Sequence, residues 1–212
     1  MCSGRVDLSF VLRAFSKGID GVFIGGCHLN ECNYVTDGNY HALSMVLLCK
    51  KLMEHMGLFP ERLRVEWVSS GEGIRFAEIM NDFAGALKEL GPLGAGEGLD
   101  PNALKLKLEA ATRLVPYIRL VEREKLRVPV KSSEAYHRFY DSDDVRRLFD
   151  ESIGDKLALG EIALLLGEEP HSTREISEIL GMPPSDVSRH LNSSSRQGLV
   201  TYDRGRNCYV LA

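Results

Sequence analysis

Cys27 and Cys32 lie five positions apart in GVFIGGCHLNECNY, residues 21–34, directly after a short apolar run, and Cys2 stands in the opening MCSGRVD. Soft thiolates suit iron–sulfur clusters and zinc, and loops at the carboxyl ends of parallel strands are where α/β proteins gather functional groups. Cys27 and Cys32 occupy such a loop. Cys2 lies just before the first helix, at the same edge if a strand leads into that helix. The paired Gly25 and Gly26 allow a ligand close to the backbone, since neither carries a Cβ. Three thiolates on one edge outline a metal site. A closed zinc set of Cys2, Cys27, Cys32 and His28 satisfies the residues as well as an iron–sulfur cluster does. An inert pair or an adventitious disulfide is the structural alternative. Cys49, within VLLCKKL, and Cys208, near the end of the chain, read as packing residues.

The elements around these residues alternate. Asp7 can cap a helix whose Leu8, Val11, Leu12 and Phe15 share one face, with Gly18 ending it. GVFIGG then reads as a buried parallel strand, residues 40–56 as a helix, and RLRVEWV, residues 62–68, as a second strand. After the turn SSGEG, a helix carries Phe76, Ile79, Met80, Phe83, Leu87 and Leu90. Such alternation predicts a parallel sheet of the flavodoxin or Rossmann type with helices on its faces. A helix capped at Asp7 leaves six residues ahead of it, so the first βα unit is expected to lack its strand. The turn residues Ser69, Ser70 and Gly71 read as an ordinary turn and cap. Their amides, with those of GGCH, are candidate donors to sulfur.

Residues 1–92 therefore form an expected α/β domain, 93–155 a helical linker region and 156–212 a separate module. PLGAGEGLDP reads as a Gly/Pro linker, followed by a helix over residues 102–126 broken or kinked at Pro116. Residues 127–155 show poor periodicity, with one short helix over 145–152. The last part gives a helix over 157–166, a helix capped at Ser172 or Thr173, a turn GMPPSD, a third helix and two strands about a turn at residues 203–207. That order is a winged helix-turn-helix.

With 212 residues, 44% of them hydrophobic, and a net charge of −4, the chain is an ordinary folded protein with no surface built wholly for nucleic acid. Five cysteines do not make a secreted disulfide framework, and the absence of a signal peptide or a long apolar run predicts a cytoplasmic location. No nucleophile–base set, carboxylate pair or phosphate loop stands out. GAGEG lies in the linker, and the other histidines have no ligand spacing.

The strings MCSGRVD, KGIDGVFIGGCHLNECNY, GNYHAL, LFPERLRVEWVSSGEG and FAEIMNDF resemble the iron–sulfur delta subunit of the methyl-viologen-reducing (F420-non-reducing) hydrogenase family, over about residues 1–92. The resemblance implies a 2Fe-2S cluster with Cys2, Cys27 and Cys32 as ligands, in an anaerobic, methanogenic setting. It implies a non-catalytic relay carrying electrons from a hydrogenase or formate dehydrogenase to the flavin-bearing A subunit of an electron-bifurcating heterodisulfide reductase. Family chains normally begin with another strand and a CxxC loop. The fourth thiolate is therefore expected from a short separate polypeptide that completes the first strand, or from a segment ahead of an internal start.

The winged helix suggests an alternative, a redox-sensing DNA-binding regulator. Residues 171–212 carry five arginines, no lysine and four acidic residues, too little positive charge for a typical phosphate-neutralising face. Docking to an acidic protein partner through Arg204 and Arg206 is the expectation for this module. The polar set from Ser188 to Gln197 keeps base reading open.

Overall fold

The computed structural model describes residues 2–34 and 38–212; Met1 and residues 35–37 of the expected cysteine loop lie outside the described residues. Asp7 caps α1 (Leu8–Ser16) by accepting from the Ser9 amide at 2.9 Å, and the helix buries the expected Leu8, Val11, Leu12 and Phe15. Strand β1 (Val22–Gly26) runs parallel to β2 (Leu63–Trp67), with Val22 opposite Leu63 and Gly26 opposite Trp67. Helix α2 (Asn39–Met56) joins them and is buried along most of its length, ending at Gly57 with φ 83°, a left-handed position suited to glycine. Helix α3 (Gly73–Leu90) follows β2 and buries Phe83. The α/β alternation is thus as predicted, with two strands in the parallel sheet among the described residues.

Helix α4 (Pro101–Lys125) starts at an Asp100 cap and runs unbroken through Pro116, so of the expected break or kink the break does not occur. Pro116 lies on the exposed side, and the Thr112 carbonyl that loses its helical donor is on that solvated face too. The neighbouring Val115 and Ile118 are buried and hold the turn in place.

The weakly periodic stretch contains α5 (Ser133–Tyr140) and α6 (Asp143–Phe149), capped by Ser132 and Ser142. A π-helical turn, Asp150–Gly154, carries α6 directly into α7 (Asp155–Glu168). There the close packing of Gly154 on the His55 ring leaves only 3.1 Å to an added Cβ. The chain continues into α8 (Thr173–Leu180), closed by a reciprocal capping box between Ser172 and Glu175, then α9 (Pro184–Arg196). An antiparallel ribbon of β3 (Val200–Asp203) and β4 (Cys208–Leu211) completes the predicted winged helix-turn-helix.

Two cores result. The larger joins α1, α2 and both parallel strands to Leu104, Leu108, Ala111, Val115, Ile118, Tyr140 and Phe149. The smaller gathers Leu106, Ile162, Leu165, Ile176, Val187, Leu191 and Val200. Helix α4 contributes to both. Among the described residues, no helix is long and apolar enough to cross a membrane.

The stretch read as a Gly/Pro linker is fixed in place. Arg62 and Glu97 have side chains 0% and 1% exposed and pair through Nε–Oε1 at 2.5 Å. Arg62 also donates to the carbonyls of Asp20 at 3.0 Å and Gly91 at 2.9 Å, and Glu97 accepts from the amides of Phe59 and Gly94. Burial alone would push the Glu97 carboxyl up. Arg62 and the two amides overcome it and hold the group below its ordinary value. Arg62→Met leaves Glu97 buried without its partner and is expected to remove about 3–5 kcal/mol in urea unfolding at neutral pH.

Glu161, 2% exposed on α7, has an Oε2 without a hydrogen-bond partner among the described residues. Burial pushes its carboxyl up to about 7, with Lys107 opposing. An acid with a raised folded value stabilises least when ionised, so its contribution falls as pH rises from the unfolded value through about 7. Glu161→Gln is expected to raise stability at pH ~8 by up to about 3 kcal/mol and by little at pH ~5, read by urea unfolding at both values.

Candidate metal centre

The carboxyl end of β1 delivers Cys27 immediately after Gly26. Cys2 heads the 3-10 turn Ser3–Arg5, which leads through Val6 to the Asp7 cap, and its sulfur accepts from the Gly4 amide at 3.4 Å. Cys32 comes back from the loop, so that Cys2 Sγ and Cys32 Sγ stand 3.6 Å apart across thirty positions of sequence. Two thiolates on one tetrahedral metal are separated by about 3.8 Å, from a metal–sulfur bond of ~2.3 Å, so this pair is at chelating distance. Cys27 adjoins Cys32 and interacts electrostatically with both other thiols.

All three line one open cavity of about 450 Å³ with Ser3, Gly25, Gly26, Glu31 and Val68. Its walls are made by close approaches. A Cβ on Gly38 would lie 2.5 Å from the Cys32 sulfur, and one on Gly26 would lie 2.7 Å from Ser3 Oγ. That Ser3 hydroxyl is buried with no hydrogen-bond partner among the described residues.

The two loop thiols differ. Cys32 is held below its ordinary value, first by hydrogen bonding from the Tyr34 main chain and also from that of Asn39, against a smaller desolvation effect. Cys27 is pushed up by partial burial of its sulfur, although the residue as a whole is exposed, and by the adjoining Cys32. Asn39, buried at the start of α2, ties the loop together: its Nδ2 donates to the carbonyls of Cys27 at 3.1 Å and His28 at 2.7 Å and lies 3.7 Å from Cys27 Sγ. Sequence reasoning passed over Asn39. The signal for it was a polar residue at the first position of an otherwise apolar buried helix.

His28, the fourth ligand of the zinc alternative, is engaged elsewhere. Its Nε2 lies 2.6 Å from Glu72 Oε2. Glu72 also accepts from the Ser69 amide at 2.7 Å and from Arg75 at 3.0 Å, so the SSGEG turn serves this carboxylate and the Ser69 amide is not a donor to sulfur. Among the described residues, no three His, Cys, Asp or Glu side chains are grouped closely enough to hold a metal ion. A chelating pair with a third thiol beside it suits a centre of more than one metal atom better than a lone zinc ion. The three sulfurs on one cavity, the Gly4 amide donor and the orphaned Ser3 hydroxyl are the groups that could hold or hydrogen-bond such a centre. Cys49, fully buried in α2 with its thiol pushed to about 12 by desolvation, and Cys208, buried in β4, are packing residues.

Comparison with known proteins places the chain in a family. Residues 1–91 match the family described as methyl-viologen-reducing hydrogenase, delta subunit. The iron–sulfur D subunit of an F420-non-reducing hydrogenase from Methanopyrus kandleri is 39% identical over 92 residues, which cover 69% of its length. This chain belongs to that delta-subunit family. The corresponding protein from Archaeoglobus profundus is 48% identical over 91 residues, 43% of this chain and 66% of the relative, so the chain spans just under two thirds of that protein. A delta-subunit-like segment also occurs inside the A subunit of the ferredoxin/F420H2-dependent CoB–CoM heterodisulfide reductase of Methanosarcina acetivorans. There the match is 43% identical over 95 residues, 45% of this chain but 12% of that protein. Residues 161–202 match a different family, described as bacterial regulatory protein, arsR family, which coincides with α7 to β3.

The Glu72 turn offers a direct test of the geometry. Its carboxyl is held at about 2, chiefly by the Ser69 amide and then by His28 and Arg75. A depressed value means that the support is complete above the unfolded glutamate range and is lost as pH falls through about 2. The Glu72 carboxyl carbon resonance is expected to titrate at that low value, and in Arg75→Ala to move upward toward the ordinary range.

Proposed function

We propose that this delta-subunit relative is a one-electron relay carrying a 2Fe-2S cluster on Cys2, Cys27 and Cys32. The observation that carries the reading is the 3.6 Å approach of Cys2 Sγ to Cys32 Sγ, with Cys27 alongside, at the carboxyl end of a parallel strand. The iron–sulfur names of the hydrogenase relatives support it. Three thiolates come from this chain, and the fourth comes from a segment outside these 212 residues, either an upstream strand or a short separate polypeptide. Residues 1–92 act as the carrier domain, 93–155 as its helical buttress and 156–212 as the docking module.

When bound, the cluster supplies reversible one-electron chemistry. The chain's own residues set where and how easily that happens. Hydrogen bonding from Gly4 to Cys2 and from the Tyr34 and Asn39 main chains to Cys32 stabilises negative charge on sulfur and favours the reduced state. Exposed Cys27 and Tyr34 keep one side of the site at the surface, where a partner's redox group can approach. The donor is a hydrogenase or formate dehydrogenase, and the acceptor is the flavin-bearing A subunit of a bifurcating heterodisulfide reductase in the cytoplasm. The presence of a similar segment within the A subunits of two heterodisulfide reductases supports that acceptor.

The arsR-type match favours a second reading, a redox-responsive DNA-binding regulator. The arginines of the module argue against DNA as its target. Arg174 pairs with Glu178, Arg189 with Asp155 and Asp186, and Arg206 with Asp203, which leaves less charge for phosphates.

Iron and acid-labile sulfide, measured per chain on protein purified without oxygen together with its partners, distinguish the readings. About two of each are expected. Cys32→Ser should lose the visible absorption and most of the iron, while Cys49→Ser keeps both. Zinc without sulfide would overturn the relay.

A further inference from the structure

A second cavity, of about 980 Å³, lies away from the thiols. It is bounded by the start of α1, the first turns of α2, the second half of α4 and the segment between α4 and α5. Its floor is polar and networked. Ser44, buried on α2, donates to Glu122 Oε1 at 3.1 Å and meets the Tyr140 hydroxyl at 2.8 Å. Its walls are apolar, with Leu8, Met45 and Leu126 among them, and Leu120 is left 46% exposed at the rim.

The rim charge has a regular origin. Arg119 and Arg123 lie four residues apart on one edge of α4, Arg127 follows just past the helix end, and all three line the cavity. Asp7 pairs with Arg119. Arg123 reaches Glu124, and Arg127 donates from Nε to the Arg123 carbonyl. The remaining acid, Glu122, is pushed above its ordinary value by burial, against the pull of His41, Ser44 and Arg119, and its Oε1 is taken up by the Ser44 hydroxyl. Guanidinium groups at the mouth, aliphatic walls behind them and hydrogen-bonding groups at the base make up a recognisable complement.

We propose that this cleft is a binding site for a small amphipathic organic anion: a carboxylate, phosphate or sulfonate head held by Arg119 and Arg123, with an aliphatic body packed against Met45, Leu120 and Leu126. The site is independent of the cluster. Its walls nonetheless join regions that the relay keeps apart, since Val6 and Asp7 follow the Cys2 turn directly and α4 packs on α7 of the docking module.

Sodium decanoate is a suitable probe, titrated calorimetrically into the full chain with decanol and inorganic phosphate as the uncharged and bodiless controls. Saturable one-to-one binding of decanoate is expected, at least about tenfold tighter than either control, because a charge-assisted hydrogen bond and the apolar body each contribute. Arg123→Gln should weaken decanoate about tenfold with decanol unchanged, as loss of a charged contact predicts. Leu120→Trp, at an exposed position, should fill the mouth and abolish binding of both, with thermal unfolding of each variant at the parent temperature. Failure of decanoate to saturate, binding equal to decanol, or unchanged affinity in both folded variants would overturn the proposal. Iron and sulfide content are unaffected by any of these outcomes.

Discussion

The buried ion pair between Arg62 and Glu97 decides where the chain goes after its α/β part. Exchanging such a pair for apolar residues often costs nothing, whereas removing one partner costs several kcal/mol, so its value lies in the geometry it imposes. Arg62 sits in the 3-10 turn Pro60–Arg62 that feeds β2, and Glu97 in a run of glycines after α3. With the guanidinium also bonded to carbonyls of residues 20, 90, 91 and 92, the glycine-rich turn has one permitted course. That course delivers Asp100 to cap α4 and lays α4 across α1. Without it, the apolar faces of α1 and α2 would have no fixed wall, and the start of α1 would lose the support that holds Cys2 toward Cys32.

Local chemistry was legible in the sequence and long-range chemistry was not. The caps at Asp7 and Ser172, the apolar face of α1, the parallel strands and the ribbon follow from residue type and spacing within a few positions. The three thiols that line the candidate site stood out because cysteine is rare and the strand–loop pattern placed two of them together. The Cys2 to Cys32 approach depends on the Ser3–Arg5 turn and on the tight fit of Gly38, neither of which spacing encodes. His28 looked like a ligand because three cysteines and one histidine make a closed tetrahedral set, but its partner Glu72 lies forty-four residues on. Glu97 was hidden for the same reason, as one acid among glycines.

Two helical misreadings have physical roots. Proline costs a helix most where its orphaned carbonyl is buried, and at Pro116 that carbonyl faces water while buried neighbours hold the turn. Helix α5 was missed because its buried side consists of Tyr136 and Tyr140, which read as polar until their rings pack, Tyr136 against Tyr40, and the Tyr140 hydroxyl finds Ser44. The serine caps at residues 132 and 142 were the available signal.

Helix α4 presents Leu104 and Leu108 to the larger core and Leu106 to the smaller. During synthesis, the delta-subunit part leaves the ribosome well before the wall that covers it, and the apolar sides of α1 and α2 wait uncovered until residue 125 has followed. The nascent chain therefore passes through an interval in which α1 and α2 have been made but their apolar sides are not yet covered. Chaperone occupancy belongs to that interval, which α4 ends for α1 and α2, whereas Leu106 on the same helix must wait for residues 162–200 before its own core can close.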